Sequence, residues 1–180
     1  MFKCFFKANA MGLKFDKISV LVVDDTMSMR NLITSVLEAL GVGKVFQASN
    51  GEQGYNIFCE QNPDIVLVGW LMEPMNGIEL TQKIRTTPGS PNKMVPIILV
   101  TGYSARPRVE EARDSGVTEF LVKPFAATDL TRRLQHVVNN PRNFIDYNGY
   151  FGPDRRRKAD ENYDGPRRRE DDFDDAWSVG

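Results

Sequence analysis

Asp24 and Asp25 stand side by side directly after an apolar run, and Thr101 and Lys123 each stand directly after another. Two carboxylates, a hydroxyl and an ammonium form a set suited to phosphoryl groups. Mg²⁺ takes hard oxygen ligands, keeps several waters and needs only one or two protein carboxylates. A hydroxyl and an ammonium bind phosphoryl oxygens and neutralise charge as it develops. A further apolar run, Asp64-Ile-Val-Leu-Val68, leads into Gly69-Trp70-Leu71-Met72. Such a site would take a nucleophile or a third ligand from that position, and glycine supplies neither. Each residue also has a plain role open to it. Adjacent aspartates often cap a helix or solvate a turn, and a lone threonine or lysine at a strand end means little. The set carries meaning only if the fold brings its members to one rim.

The chain alternates in a way that would do so. Ile18–Val23 is short, continuous and β-branched, which suits a strand buried on both faces. Leu32, Ile33, Val36, Leu37 and Leu40 then share one face of a 3.6-residue helix, with Gly41 as its stop. Lys44–Ala48 reads as the second strand, and Asn50-Gly51 opens a second helix with Tyr55 and Phe58 inward. Ile65–Val68 is the third strand, followed by a helix with Leu80 and Ile84. Pro88-Gly89-Ser90-Pro91-Asn92 breaks that helix before a fourth strand, Val95–Val100. Pro107 fits the first turn of a fourth helix, which stops at Gly116. Phe120–Val122 is the fifth strand. The last helix starts near Thr128 or Asp129, burying Leu130, Leu134, Val137 and Val138 and turning Arg132, Arg133 and His136 outward. Five strand–helix repeats with short links predict an α/β fold, a doubly wound parallel five-stranded sheet with helices on both faces. In such sheets the site lies at the carboxyl ends of the strands. Asp24-Asp25, Gly69, Thr101 and Lys123 all fall at those ends.

The ordered segments V-L-V-V-D-D (20–25), P-D-I-V-L-V-G-W-L-M-E-P-M-N-G (63–77), I-I-L-V-T-G (97–102) and F-L-V-K-P-F (120–125) resemble the receiver domain of two-component response regulators, including stand-alone chemotaxis-type receivers. The resemblance covers residues 17–139. It implies the flavodoxin-like strand order 2-1-3-4-5. It also implies that Asp24 and Asp25 are the acidic metal-binding pair, with the Leu71 carbonyl as a further Mg²⁺ ligand. Thr101 becomes the switch hydroxyl, Phe120 the rotating aromatic and Lys123 the phosphoryl-contacting lysine, with a cis Lys123-Pro124 bond. Gly69 falls on the phosphoacceptor aspartate. With no carboxylate there, no acyl phosphate forms at the usual site and Mg²⁺ affinity is expected to be weakened. Asp64 is no substitute, since it lies about 15 Å away at ~3.3 Å per residue along the strand. Glu73 in the adjacent loop is the nearest alternative acceptor. Glycine fits either an atypical receiver that signals without phosphorylation or a single-base variant of an ordinary one.

The expected function is a single-domain receiver, not an enzyme, that acts by binding a histidine kinase or another signalling protein through the fourth helix, fifth strand and fifth helix. The alternative is a small Mg²⁺-dependent phosphatase or nucleotide-binding protein of the same topology. That reading needs Asp24 as nucleophile, and no G-x-x-x-x-G-K-[ST] loop follows the first strand. His136 has no second histidine beside it and reads as a surface residue.

Residues 1–16 are expected to form a flexible extension, with Met11 as an alternative start. Residues 140–180 are rich in Asp, Arg, Gly and aromatics but poor in aliphatic side chains. Such a segment cannot bury enough surface to fold alone and is expected to be disordered or draped. It is too short for a DNA-binding output domain. It repeats one pattern, however: Tyr150-Phe-Gly-Pro-Asp-Arg-Arg-Arg157 is echoed by Tyr163-Asp-Gly-Pro-Arg-Arg-Arg169. The pattern reads either as a solvated polyampholyte or as a repeated partner-docking motif. The formal net charge of -1 favours neither nucleic acid nor membrane. No apolar run reaches the ~20 residues that span a bilayer. Cys4 and Cys59 have no disulfide or metal spacing. They read as a tail residue and a buried helix residue. A cytoplasmic monomer or weak homodimer is the expectation.

Overall fold

In the computed structural model, the described residues are 15–102, 106–147 and 149–154. Five strands form one parallel sheet: β1 (Ser19–Val23), β2 (Lys44–Ala48), β3 (Ile65–Gly69), β4 (Ile97–Thr101) and β5 (Glu119–Val122). Their order across the sheet is β2-β1-β3-β4-β5, as the resemblance implies. Five helices alternate with them: α1 (Met27–Ala39), α2 (Gly51–Gln61), α3 (Gly77–Thr86), α4 (Arg106–Asp114) and α5 (Ala127–Asn139).

The side-chain alternation of the strands divides the core in two. Leu21, Val23, Val66, Val68, Ile97, Leu99 and Phe120 face one side, where Phe58, Leu80, Ile84 and Ala112 cover them from α2, α3 and α4. Val20, Val22, Ile65, Leu67, Ile98, Val100 and Leu121 face the other, covered by Ile33 and Leu37 of α1 and Leu130, Leu134 and Val137 of α5. Burial on both faces explains why the central strands are continuously apolar instead of alternating. The helix boundaries follow from local chemistry. Asn50 caps α2 by accepting from the Gln53 amide, and Asn76 with Glu79 forms a capping box on α3. Gly41 and Gly116 follow α1 and α4 with φ of 80° and 94°, the left-handed conformation in which glycine is favoured.

Several local expectations are corrected. Leu32 is 53% exposed, because the inward stripe of α1 runs through Ile33 and Leu37 instead. Cys59 is exposed, one residue beyond the buried Phe58. Folded structure is present earlier than expected: Phe15–Lys17 forms a 3-10 turn and Phe15 is part of the core. Residues 1–14, with Cys4 and Met11, lie outside the described residues.

The segment after α5 also contains structure. β6 (Phe144–Tyr147) and β7 (Tyr150–Pro153) form an antiparallel hairpin around Gly149, whose φ is 78°. The hairpin rests on the domain. Phe144 lies 5.1 Å from the buried Arg85 guanidinium, and the Tyr150 hydroxyl donates to the Arg113 carbonyl at 3.4 Å. This contact lies at the amino-terminal ends of the strands. Residues 155–180, which hold the second arginine repeat, lie outside the described residues.

Candidate functional site

The parallel register brings four strand ends to one rim. Val23 pairs with Val68, Gly69 with Val100, and Thr101 with Val122. Residues at these pairs and just beyond them line a cleft of about 190 Å³: Asp24, Asp25, Gly69, Leu71, Thr101 and Lys123, joined by Trp70, Val100 and Gly102. All the sequence-predicted site residues except Phe120 therefore line one cleft. Phe120 is buried at the start of the β5 apolar run, in the same core cluster as Leu99, Ala112 and Val117.

Backbone bonds hold the rim. The Asp24 amide donates to the Ala48 carbonyl at 3.2 Å, tying the end of β1 to β2. The Lys123 amide donates to the Thr101 carbonyl at 2.7 Å, tying the end of β5 to β4. The loop after β3 closes back through Gly77, whose amide donates to the Trp70 carbonyl at 2.9 Å. A side chain at position 77 would drive its Cβ into the Gly69 carbonyl, so this close approach requires glycine. Glu73-Pro74 and Lys123-Pro124 are both cis peptides, the second as the resemblance implies.

The charges are arranged unevenly. Asp24 is only 2% exposed, whereas Asp25 is exposed. The Asp24 carboxylate accepts from the Thr26 amide at 2.9 Å and from Lys123 Nζ at 3.0 Å. Arg30 of α1 donates to the Asp24 and Asp25 carbonyls at 2.7 and 3.1 Å, fixing the backbone that carries both acids. Gly69 faces this ion pair directly. A Cβ built on Gly69 would lie 2.9 Å from Asp24 Oδ2, the oxygen that Lys123 contacts. The Asp24–Lys123 pair thus closes over the place from which a side chain at 69 would emerge.

The donor set can be tested against a divalent cation on this geometry. Two carboxylates on one rim, with Leu71 beside them, satisfy the modest requirement of Mg²⁺ for protein ligands. Among the described residues, no group of three or more His, Cys, Asp or Glu is placed to hold a metal. Asp24 and Asp25 therefore fit Mg²⁺ as a minimal pair, and Lys123 already neutralises one of the two.

Other acidic residues behave differently. Asp64 accepts from the Ser19 amide and hydroxyl at 2.8 and 2.7 Å at the opposite end of the sheet. Glu73 is exposed and is not among the residues lining the cleft. His136 is half exposed, as read from the helix, but its ring lies 3.5 Å from Glu119. That glutamate is a buried residue the sequence analysis did not single out. Arg133 and Arg142 approach it at 3.5 and 3.9 Å, so α5 and the segment after it neutralise the start of β5. Arg85 was also missed. It is 1% exposed and donates to the Gly116 and Lys93 carbonyls at 3.1 and 2.7 Å. Burial pushes its pKa down to about 9, which leaves the guanidinium charged at neutral pH.

No helix among the described residues is long and apolar enough to cross a membrane. The family model for the response regulator receiver domain matches residues 20–135. The chain is 32% identical over 122 residues to chemotaxis protein CheY1 of Helicobacter pylori, covering 67% of this chain and 97% of that protein. It is 34% identical over 122 residues to a probable chemotaxis protein CheY of Rhizobium etli, covering 68% of this chain and 93% of that one. Among solved structures, chemotaxis protein CheY4 of Vibrio cholerae superposes with a TM-score of 0.62 at 28% identity, over 67% of this chain and 98% of that one. The receiver domain of a Pseudomonas aeruginosa sensor histidine kinase, solved with a magnesium ion coordinated in its active-site cleft, superposes with a TM-score of 0.61 at 26% identity over 68% of this chain and 98% of that one. With the strand ends, the cleft and its acidic pair in the arrangement the sequence predicted, the chain belongs to the response regulator receiver family, the receiver domains of two-component signalling.

Proposed function

We propose that this receiver signals through protein–protein binding and not through an acyl phosphate at position 69. The observation that carries the reading is the Asp24–Lys123 ion pair at 3.0 Å, closed over a glycine that has no carboxylate to accept a phosphoryl group. In this reading Lys123 contacts Asp24 instead of a phosphoryl oxygen. Thr101 and Phe120 keep the positions of switch residues. Asp24 and Asp25, with the Leu71 carbonyl, would hold Mg²⁺. The metal supplies charge neutralisation at the rim when bound, and its affinity is weakened twice, by the missing third carboxylate and by the lysine already on Asp24. The partner is a histidine kinase or another signalling protein, met on α4, β5 and α5, and the protein works in the cytoplasm as a monomer or weak homodimer.

A phosphatase on the same rim would need Asp24 as its nucleophile. Asp24 is buried, and its two carboxylate oxygens already accept from the Thr26 amide and from Lys123 Nζ, which works against that role.

The test is intact mass after incubation with acetyl phosphate and Mg²⁺, for this chain and for Gly69→Asp in parallel. The expected result is no phosphoryl adduct on this chain. A stoichiometric adduct on this chain would sink the reading and direct attention to Glu73. The Gly69→Asp chain must move Asp24 to make room for the new Cβ. An adduct on that variant alone shows that the ion pair yields and that the rest of the site is competent.

A further inference from the structure

Two stretches of this chain place tyrosine, glycine and proline at the same offsets: Tyr150-Phe151-Gly152-Pro153 and Tyr163-Asp164-Gly165-Pro166, each leading into three arginines. The first copy is β7, and its contacts show what the pattern does. The Tyr150 hydroxyl donates to the carbonyl of Pro153, within the motif, at 3.0 Å and to the Arg113 carbonyl of α4 at 3.4 Å. The tyrosine ring lies over Gly152, where any Cβ would collide with the ring and its hydroxyl and come within 3.1 Å of the Gly116 Cα. Gly152 and Pro153 are buried. The groove they fill is the turn between α4 and β5. Arg85 forms its floor by donating to the Gly116 carbonyl, and Arg142 closes its end by donating to the Asp154 carbonyl.

The residues that make this docked shape are the ones the second copy shares. Tyrosine folds over glycine, and its hydroxyl returns to the proline carbonyl, so much of the shape is encoded inside the motif. The position that differs is Phe151, whose ring stacks on Phe144 of the same hairpin at 5.8 Å. Asp164 replaces it in the second copy. The groove-facing chemistry is kept, and the hairpin-facing chemistry is not.

We propose that the groove at Gly116 is a receptor for the Tyr-x-Gly-Pro motif, and that Tyr163–Pro166 is a second ligand for it, exchanging with Tyr150–Pro153 on the same chain. Residues 154–162 link the two copies and can extend roughly 30 Å at ~3.4 Å per residue, ample for the second copy to return to the groove. Tethering gives it an effective concentration on the order of millimolar, far above that of a neighbouring chain. Only one copy fits at a time, so docking of the second lifts Phe144 and Phe151 away from Arg85. This inference concerns the end of the sheet opposite the cleft and stands whether or not residue 69 is ever phosphorylated.

The test uses full-length Tyr150→Ala, Tyr163→Ala and the double variant, reading exchange of the buried Arg85 Nε–H with water by NMR. In Tyr150→Ala the second copy takes the groove, and protection stays within about threefold of the parent. Tyr163→Ala matches the parent, and the double variant loses tenfold or more. Adding a peptide of residues 160–169 to the double variant restores protection, whereas a scrambled peptide does not. The proposal is overturned if Tyr150→Ala alone loses as much as the double variant, or if the double variant keeps full protection. Protection in Tyr150→Ala that falls on dilution would place the second copy on a neighbouring chain and overturn the same-chain exchange. Should the alanine variants unfold by circular dichroism, Tyr150→Phe and Tyr163→Phe, which remove only the hydroxyl bonds, carry the same comparison with the same deciding outcomes.

Discussion

The two ends of the sheet each hold a cation, and they hold it differently. At the carboxyl ends, Lys123 is partly exposed and meets a full opposite charge on Asp24 at 3.0 Å. At the amino ends, Arg85 is fully buried and meets no carboxylate within salt-bridge distance among the described partners. Two backbone carbonyls, at 3.1 and 2.7 Å, and the Phe144 ring neutralise it instead. An ion pair whose lysine reaches water is easier to rearrange than a charge buried on every side, because solvent screens the exposed partner. A buried guanidinium held by carbonyls is costly to disturb, because its acceptors cannot find water once it leaves. The first arrangement suits a site that changes state. The second suits a joint that fastens the hairpin to the domain.

The comparison predicts unequal responses to mutation. Arg85→Met should cost the most, about 3 kcal/mol in urea unfolding, since it strands buried acceptors and empties packed volume. A loss near zero would break the contrast between the two ends. The same residue sets a pH signature. Burial lowers its folded pKa well below the ordinary guanidinium range, so the cost of burying the charge is fully present below pH about 9 and is relieved as pH rises through that value. The stability of the parent chain relative to Arg85→Met should therefore increase on the alkaline side, measured as the difference between the two unfolding midpoints.

Gly77→Ala comes next, at about 2 kcal/mol, because its Cβ meets the Gly69 carbonyl, which is backbone and cannot step aside. Thermal unfolding would read it, and a neutral result would mean that the loop after β3 is looser than its geometry shows. Lys123→Ala should cost about 1 kcal/mol at low salt and less at high salt, the dependence expected of a partly exposed pair. A salt-independent loss would mean that the lysine acts through packing. The smallest effect belongs to Leu32→Ala, within about 0.5 kcal/mol, since the side chain projects into solvent. A loss of several kcal/mol there would return Leu32 to the core.

The sequence was most readable where the physics is local and least readable where it is not. Val20–Val23 and Ile97–Val100 announce buried strands through continuous apolar, β-branched composition, and their ends locate the rim. Leu32 was misplaced because Leu32 and Ile33 are adjacent and either can begin a helical stripe; packing against the sheet decides between them. Glu119 looks like a turn residue in Val-Thr-Glu-Phe, and its burial depends on Arg133, His136 and Arg142, which come later in the chain. Arg85 resembles any polar residue of an amphipathic helix until Gly116 and Phe144 close over it. The hairpin did leave a signal, an Asn148-Gly149 pair between two aromatic-rich runs, which is a strong short-range hairpin pattern. The high charge of the surrounding tail masked it. At Gly69 the glycine was legible as a missing carboxylate. That Asp24 and Lys123 would close over its place was not legible, because the two residues lie far apart in the chain and meet only through the sheet.

The hairpin contact at Arg113 has a mechanical consequence for α4. The helix is fastened near its carboxyl end, where the Tyr150 hydroxyl binds the Arg113 carbonyl, and near its other end Arg108 lies 5.7 Å from the Trp70 ring beside the cleft. Nine residues make it a rod of about 13 Å at ~1.5 Å per residue. A rod pinned at one end responds to a push at the other by swinging about the pin. The first segment of the tail therefore braces α4 at the end opposite its contact with Trp70.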